Sequence, residues 1–144
     1  MESGKNQQAI ILVDDDQEDR QLFTEAAAEA GIAVRMQCIE DGDQLSELLF
    51  PSDPAAVKIQ PVLIFLDLNL PAGGGKKSLE ALKRSEAYKR IPVVVFTTSA
   101  VKEEITWAYS TGANSLIIKP FSYHDLVDIM RAIKTYWFET VELP

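Results

Sequence analysis

The apolar positions of this chain gather into short runs, separated by longer amphipathic stretches. Ala9–Val13, Ala33–Ile39, Val62–Leu66, Val93–Phe96 and Leu116–Ile118 are predicted as strands. Runs of Val, Ile and Leu of this length read as strands of a parallel sheet buried on both faces. Helices are predicted over Gln17–Ala30, Asp43–Phe50, Lys77–Ser85, Val101–Thr111 and Tyr123 to about Trp137. The first places Leu22, Phe23, Ala26 and Ala30 on one face, and Gly31 ends it as a left-handed cap. The second turns Leu45, Leu48 and Leu49 inward, and the fourth turns Ile105, Ala108 and Tyr109 inward before Gly112. The last carries the stripe Leu126, Ile129, Met130, Ile133 and Trp137, a helical period. Ser122 with Asp125 three residues on resembles a capping box at its start. Pro51–Pro61 reads as a loop, and Pro71-Ala-Gly-Gly-Gly as a second, flexible one.

Strand and helix therefore alternate five times. That order demands a parallel sheet with right-handed crossovers, an α/β doubly wound fold. A length of 144 residues suits one domain with a real core. The expected organisation is a disordered tail over 1–8, a folded unit over 9–137, and an apolar extension over 138–144 that packs on the domain or on a partner. No internal repeat or output domain is expected. Hydrophobic content of 47% with 25% charged residues fits a globular chain. The net charge of −8 argues against direct contact with nucleic acid, which needs a basic face. Cys38 is the one cysteine, so neither an intrachain disulfide nor a cysteine metal cluster is expected. Met1–Gln8 lacks the apolar core of a secretory signal, and no apolar run has membrane-spanning length, so the cytoplasm is the expected location.

The candidate chemistry lies just past the strands. Asp14-Asp15-Asp16 follows the first run, Asp67 the third, Thr97 the fourth and Lys119-Pro120 the fifth, with Asn69 two residues after Asp67. In open α/β sheets the ligand crevice lies at the carboxyl ends of the strands. Carboxylates, a hydroxyl and an ammonium gathered there suit a divalent cation and a phosphoryl group. Asp67 reads as a carboxylate nucleophile. Asp14 and Asp15 crowd it with like charge, which a cation between them would relieve. Magnesium, or manganese, fits a site of oxygen ligands. Asp16 reads as the cap of the first helix rather than a ligand. Cys38 reads as a small buried hydrophobe and His124 as a solvent-facing side chain.

Val13-Asp14-Asp15, Leu66-Asp67-Leu68-Asn69-Leu70-Pro71, Thr97 and Lys119-Pro120-Phe121, in this order, resemble the receiver domain of two-component response regulators over nearly the whole chain. The resemblance implies a flavodoxin-like sheet of order 2-1-3-4-5. It implies phosphoryl transfer from a sensor histidine kinase to Asp67, in a module that is a self-catalysed phosphoacceptor rather than an enzyme. Asp15 would bind the metal directly, Asp14 through water or from just behind the ligands, and the Asn69 main-chain carbonyl would add a ligand beside Asp67. Thr97 and Lys119 would contact phosphoryl oxygens, and Asn69 and Ser99 would tune dephosphorylation. The Lys119–Pro120 bond would be cis. Thr97 and position 116 would form the switch, with Leu116 standing where the family usually has an aromatic.

Phe96-Thr97-Thr98-Ser99 and Tyr136-Trp137-Phe138-Glu139-Thr140-Val141-Glu142-Leu143-Pro144 resemble more narrowly the single-domain regulators that partner phytochrome-type kinases. That likeness implies a phytochrome as kinase and a homodimer, with Tyr136, Trp137 and Phe138 as interface candidates. Two rival readings stand beside it. A phosphorylation-independent adaptor would fit Leu116 but leave the intact acidic site unexplained. A hydrolase of the haloacid dehalogenase type would want a second carboxylate where Asn69 stands.

Overall fold

The computed structural model describes residues 8–53, 55 and 59–144. The tail expected over 1–8 lies outside the described residues except for Gln8, as do residues 54 and 56–58 of the Pro51–Pro61 loop. Five strands, β1 (Gln8–Val13), β2 (Met36–Ile39), β3 (Gln60–Leu66), β4 (Val93–Thr97) and β5 (Ser115–Ile118), form one sheet of order β2-β1-β3-β4-β5. Every pairing is parallel. The flavodoxin-like order that the family resemblance implies is the order observed.

Successive side chains of a strand point to opposite faces, so an apolar run must be covered twice. Ile10 and Leu12 of β1 join one core with Leu63 and Phe65 of β3. Helices α1 (Gln17–Glu29) and α5 (Tyr123–Ile133) close it with Phe23, Ala26, Leu126 and Met130. Ala9, Ile11 and Val13 join the opposite core, which α2 (Gly42–Leu49), α3 (Gly74–Arg84) and α4 (Lys102–Thr111) close with Leu45, Leu49, Leu79, Leu82 and Ala108. Phe23 meets Phe65 and Phe96 edge to face, at centroid distances of 4.8 and 5.4 Å. Burying each such side chain stabilises the fold by about 1.5–3 kcal/mol. This interior has no room for charge, so the polar residues collect where the strands run out.

The caps follow the local chemistry. Asp16 accepts the Asp19 N–H at 2.9 Å to start α1, and Gly31 ends it at φ +86°. Ser122 accepts the Asp125 N–H at 3.0 Å to start α5.

Several expectations change. β2 begins at Met36 rather than Ala33, because pairing with β1 starts at Ile10 opposite Met36. Tyr109 is 49% exposed instead of inward. Its hydroxyl accepts the Leu116 N–H at 3.1 Å, satisfying a donor on the edge strand β5. The glycine segment is not a flexible loop. Pro71–Gly73 makes one tight turn, with Ala72 and Gly73 both left-handed, and α3 starts at Gly74. Past Ile133 the helix continues as a π-helical segment, Lys134–Thr140, closed by the Val141 N–H on the Tyr136 carbonyl at 3.0 Å. Trp137 and Phe138 pack half-buried on the α1/α5 core, while Tyr136 is 52% exposed.

Ala72 sits at φ +57°, a conformation that costs an L-residue roughly 1–2 kcal/mol. Ala72→Gly removes that cost but loosens the unfolded chain by about 0.4–1 kcal/mol. The expected result is a net gain of about 0.5–1 kcal/mol, read as a thermal midpoint raised by ~1–4 °C. A lowered midpoint would contradict the strain at this turn.

Candidate functional site

The carboxyl ends of β1, β3, β4 and β5 deliver their polar groups to the same spot. The Asp14 N–H donates to the Ile39 carbonyl at 3.0 Å and the Asp67 N–H to the Val13 carbonyl at 3.1 Å, so both residues extend the sheet ladder by one step. The Lys119 N–H donates in the same way to the Thr97 carbonyl at 2.8 Å. Main-chain pairing therefore fixes where these side chains emerge.

Asp14, Asp15 and Asp67 each place a carboxylate oxygen within 4.8 Å of the others. Asp14 and Asp67 are 2% and 5% exposed, whereas Asp15 faces solvent. Lys119 Nζ donates to Asp14 Oδ2 at 2.7 Å and to Asp67 Oδ2 at 2.9 Å. A third bond, to Asp19 Oδ2 at 3.1 Å, comes from the first turn of α1. Burial by itself would push the Lys119 ammonium down. Its bonds to Asp14 and Asp67 outweigh that and hold it above the ordinary lysine range, so it stays a cation. Burial pushes the Asp14 carboxyl up and is only partly countered by Lys119 and by the Asp16 N–H, which donates to Asp14 Oδ1 at 2.9 Å.

The turn after β3 orients the rest. Asp67 Oδ1 accepts the Asn69 N–H at 2.9 Å, and the Asn69 side-chain amide donates to Thr97 Oγ1 at 3.0 Å. Thr97 is 1% exposed, and its hydroxyl also accepts the Ser99 N–H at 3.3 Å. The structure thus brings Asp14, Asp15, Asp67, Asn69, Thr97, Ser99 and Lys119 together. Leu116 lies apart, opposite Val95 in the sheet. Tyr136, Trp137 and Phe138 follow the far end of α5, away from the strand carboxyl ends. Asp16 caps α1 as expected, and the His124 side chain is 81% exposed.

One expectation fails. No cis peptide bond occurs among the described residues, so Lys119–Pro120 is trans. Trans is the lower-energy form of an X–Pro bond by about 0.5–1 kcal/mol. One contact was not foreseen, that of Asp19. An acidic residue in the first turn of a helix is ordinary dipole chemistry, so its type gave no hint of Lys119.

The donor set suits a divalent cation. It consists of carboxylate oxygens, two of them buried beside a single ammonium, with the exposed Asp15 at the mouth. Hard oxygen ligands of this kind are those magnesium and manganese take.

Residues 10–131 match the response regulator receiver domain, and the chain belongs to that family. Among its relatives, the response regulator Rcp1 of Synechocystis sp. is 33% identical over 135 residues, covering 94% of this chain and 92% of that protein. The crystal structure of the phosphorylated cyanobacterial phytochrome response regulator RcpA superimposes with a TM-score of 0.87 at 34% identity, covering 94% of this chain and 97% of that one. The Mn²⁺-bound form of Rcp1 superimposes with a TM-score of 0.85 at 33% identity, covering 94% and 98%. No helix among the described residues is long and apolar enough to cross a membrane.

Proposed function

We propose that this receiver accepts a phosphoryl group on Asp67 from a phosphohistidine of a sensor histidine kinase, of the phytochrome type, in the cytoplasm. The observation that carries the reading is the buried Asp67 carboxylate at the strand ends, bonded to Lys119 and within 4.8 Å of the Asp14 and Asp15 carboxylates. An Asp67 oxygen attacks phosphorus, the phosphorus–nitrogen bond of the donor breaks, and its electron pair leaves with the imidazole. Asp14, Asp15, Asp67 and the Asn69 carbonyl would hold a divalent cation, whose charge would offset the three carboxylates and the incoming phosphoryl group. Lys119 pairs with the phosphoryl oxygens. Thr97, now bonded to Asn69, turns its hydroxyl to another of them. Asn69 and Ser99, which border Thr97, set how readily water reaches the acyl phosphate.

Signalling then proceeds by protein contact, through repacking around Thr97 and β5. Leu116 cannot serve as an aromatic reporter, and its N–H is held by Tyr109 instead. The half-exposed Tyr136 beside Trp137 and Phe138 supports a homodimer face at the end of α5.

The test is intact mass after incubation with magnesium and acetyl phosphate, beside Asp67→Asn. Gain of one phosphoryl group by the parent alone is the expected outcome. Equal labelling of both proteins, or none in the parent from either acetyl phosphate or a phosphorylated phytochrome kinase, would refute the assignment.

A further inference from the structure

An ammonium has three N–H donors, and Lys119 spends all of them on carboxylates. Asp14 lies at 2.7 Å, Asp67 at 2.9 Å and Asp19 at 3.1 Å. The Asp19 bond is the longest, and its side chain is 41% exposed against 3% for Asp14 and 7% for Asp67. It also closes a ring. The Asp16 N–H donates to Asp14, the Asp19 N–H donates to Asp16, and Lys119 joins Asp19 back to Asp14. The β1–α1 turn is thereby tied to the end of β5.

Asp67 attacks through one oxygen and keeps Oδ2 on Lys119, so a phosphoryl oxygen that also pairs with Lys119 must displace Asp14 or Asp19. Releasing Asp14 would break the shortest of the three bonds, at 2.7 Å, where burial keeps water from replacing the ammonium. Releasing Asp19 costs less, because water can take the place of the ammonium at a half-exposed group. Resting on the reading of Asp67 as acceptor, we propose that Asp19 is a positioning residue that competes for Lys119. It holds the third N–H while Asp67 is bare and yields it when Asp67 carries a phosphoryl group. The contact that opens lies at the first turn of α1, so occupancy of the site is transmitted to that helix.

The test is a titration of the whole chain with beryllofluoride at saturating magnesium, followed by NMR, on the parent, Asp19→Asn, Glu18→Gln and Asp67→Asn. Glu18 carries the same charge one residue earlier on α1, outside the Lys119 contacts. Removing the competitor is expected to tighten beryllofluoride binding about two- to fivefold in Asp19→Asn, the size of a half-exposed ion pair. Glu18→Gln is expected to bind as the parent does, with thermal midpoints confirming that both variants fold. An equal change in both variants would assign the effect to charge at a distance and overturn the proposal. No change, or weaker binding, in Asp19→Asn would overturn it as well. Absence of saturable binding in the parent, or binding that survives Asp67→Asn, would overturn the acceptor reading itself, a failure distinct from that of Asp19.

Discussion

Replacing Lys119 with Met is expected to destabilise the metal-free protein by about 3–5 kcal/mol, because it leaves buried carboxylates without their cation. Asp14 and Asp67 are 2% and 5% exposed, so solvent cannot substitute for the ammonium. Both bonds are short, and Lys119 is itself 10% exposed, so little of the interaction is lost to screening. Methionine preserves most of the stem packing, including the approach of the side chain to the Phe96 ring, which isolates the effect of charge. In a chain of this size the loss corresponds to a thermal midpoint lower by ~10 °C or more. Magnesium should then stabilise the variant more than the parent. A ligand that binds only the folded state adds stability in proportion to the logarithm of its concentration over Kd, and in Lys119→Met no ammonium competes for the carboxylates. Urea unfolding of both proteins, in chelator and in magnesium, checks both points. A variant as stable as the parent in chelator would show that the ion pairs do not hold the site together.

The same site shows how far the sequence could be read. β1, β3 and β4 were legible because a strand buried on both faces has no polar alternation. The strand ends then located Asp14, Asp67, Thr97 and Lys119 without knowledge of any contact. β2 was legible only in part. Its true start depends on where Ile10 finds a partner, which is a tertiary fact. Tyr109 was misplaced because the helical period of α4 treats it as core, whereas its hydroxyl serves the edge of β5. The trans Lys119–Pro120 bond departs from what the family resemblance implied. Asp19 was invisible for a different reason. Its residue type is what any helix start favours, and only the reach of Lys119 from the end of β5 gives it a second role.

The glycine segment after Asp67 is the most instructive misreading, and it yields the sharpest prediction. Pro71-Ala-Gly-Gly-Gly looks like slack because glycine is permissive. In the structure, Gly75 lies inside α3 and presses on the backbone of the acceptor turn. A Cβ at position 75 would lie 2.6 Å from Leu68 Cα and 2.8 Å from Leu68 C, and closer still to the Asp67 carbonyl oxygen. All three are main-chain atoms, so no rotamer change can relieve the clash. Either α3 lifts away or the Asp67–Leu68 backbone shifts. Gly75→Ala is therefore expected to cost roughly 1–3 kcal/mol, toward the upper end, as an overpacked core does. On the acceptor reading it should also slow phosphoryl uptake by about 100-fold, since a displacement near 1 Å at the reacting group has that effect. Gly74→Ala is the control. Its Cβ would meet Leu70 Cβ at 3.6 Å and the Gly42 nitrogen at 3.7 Å, ordinary contacts. Alanine there should be tolerated or should stabilise α3 by about 0.5–1 kcal/mol. Urea unfolding and the rate of labelling by acetyl phosphate separate the two variants. If Gly75→Ala labels as fast as Gly74→Ala, the close approach of α3 is not what positions Asp67.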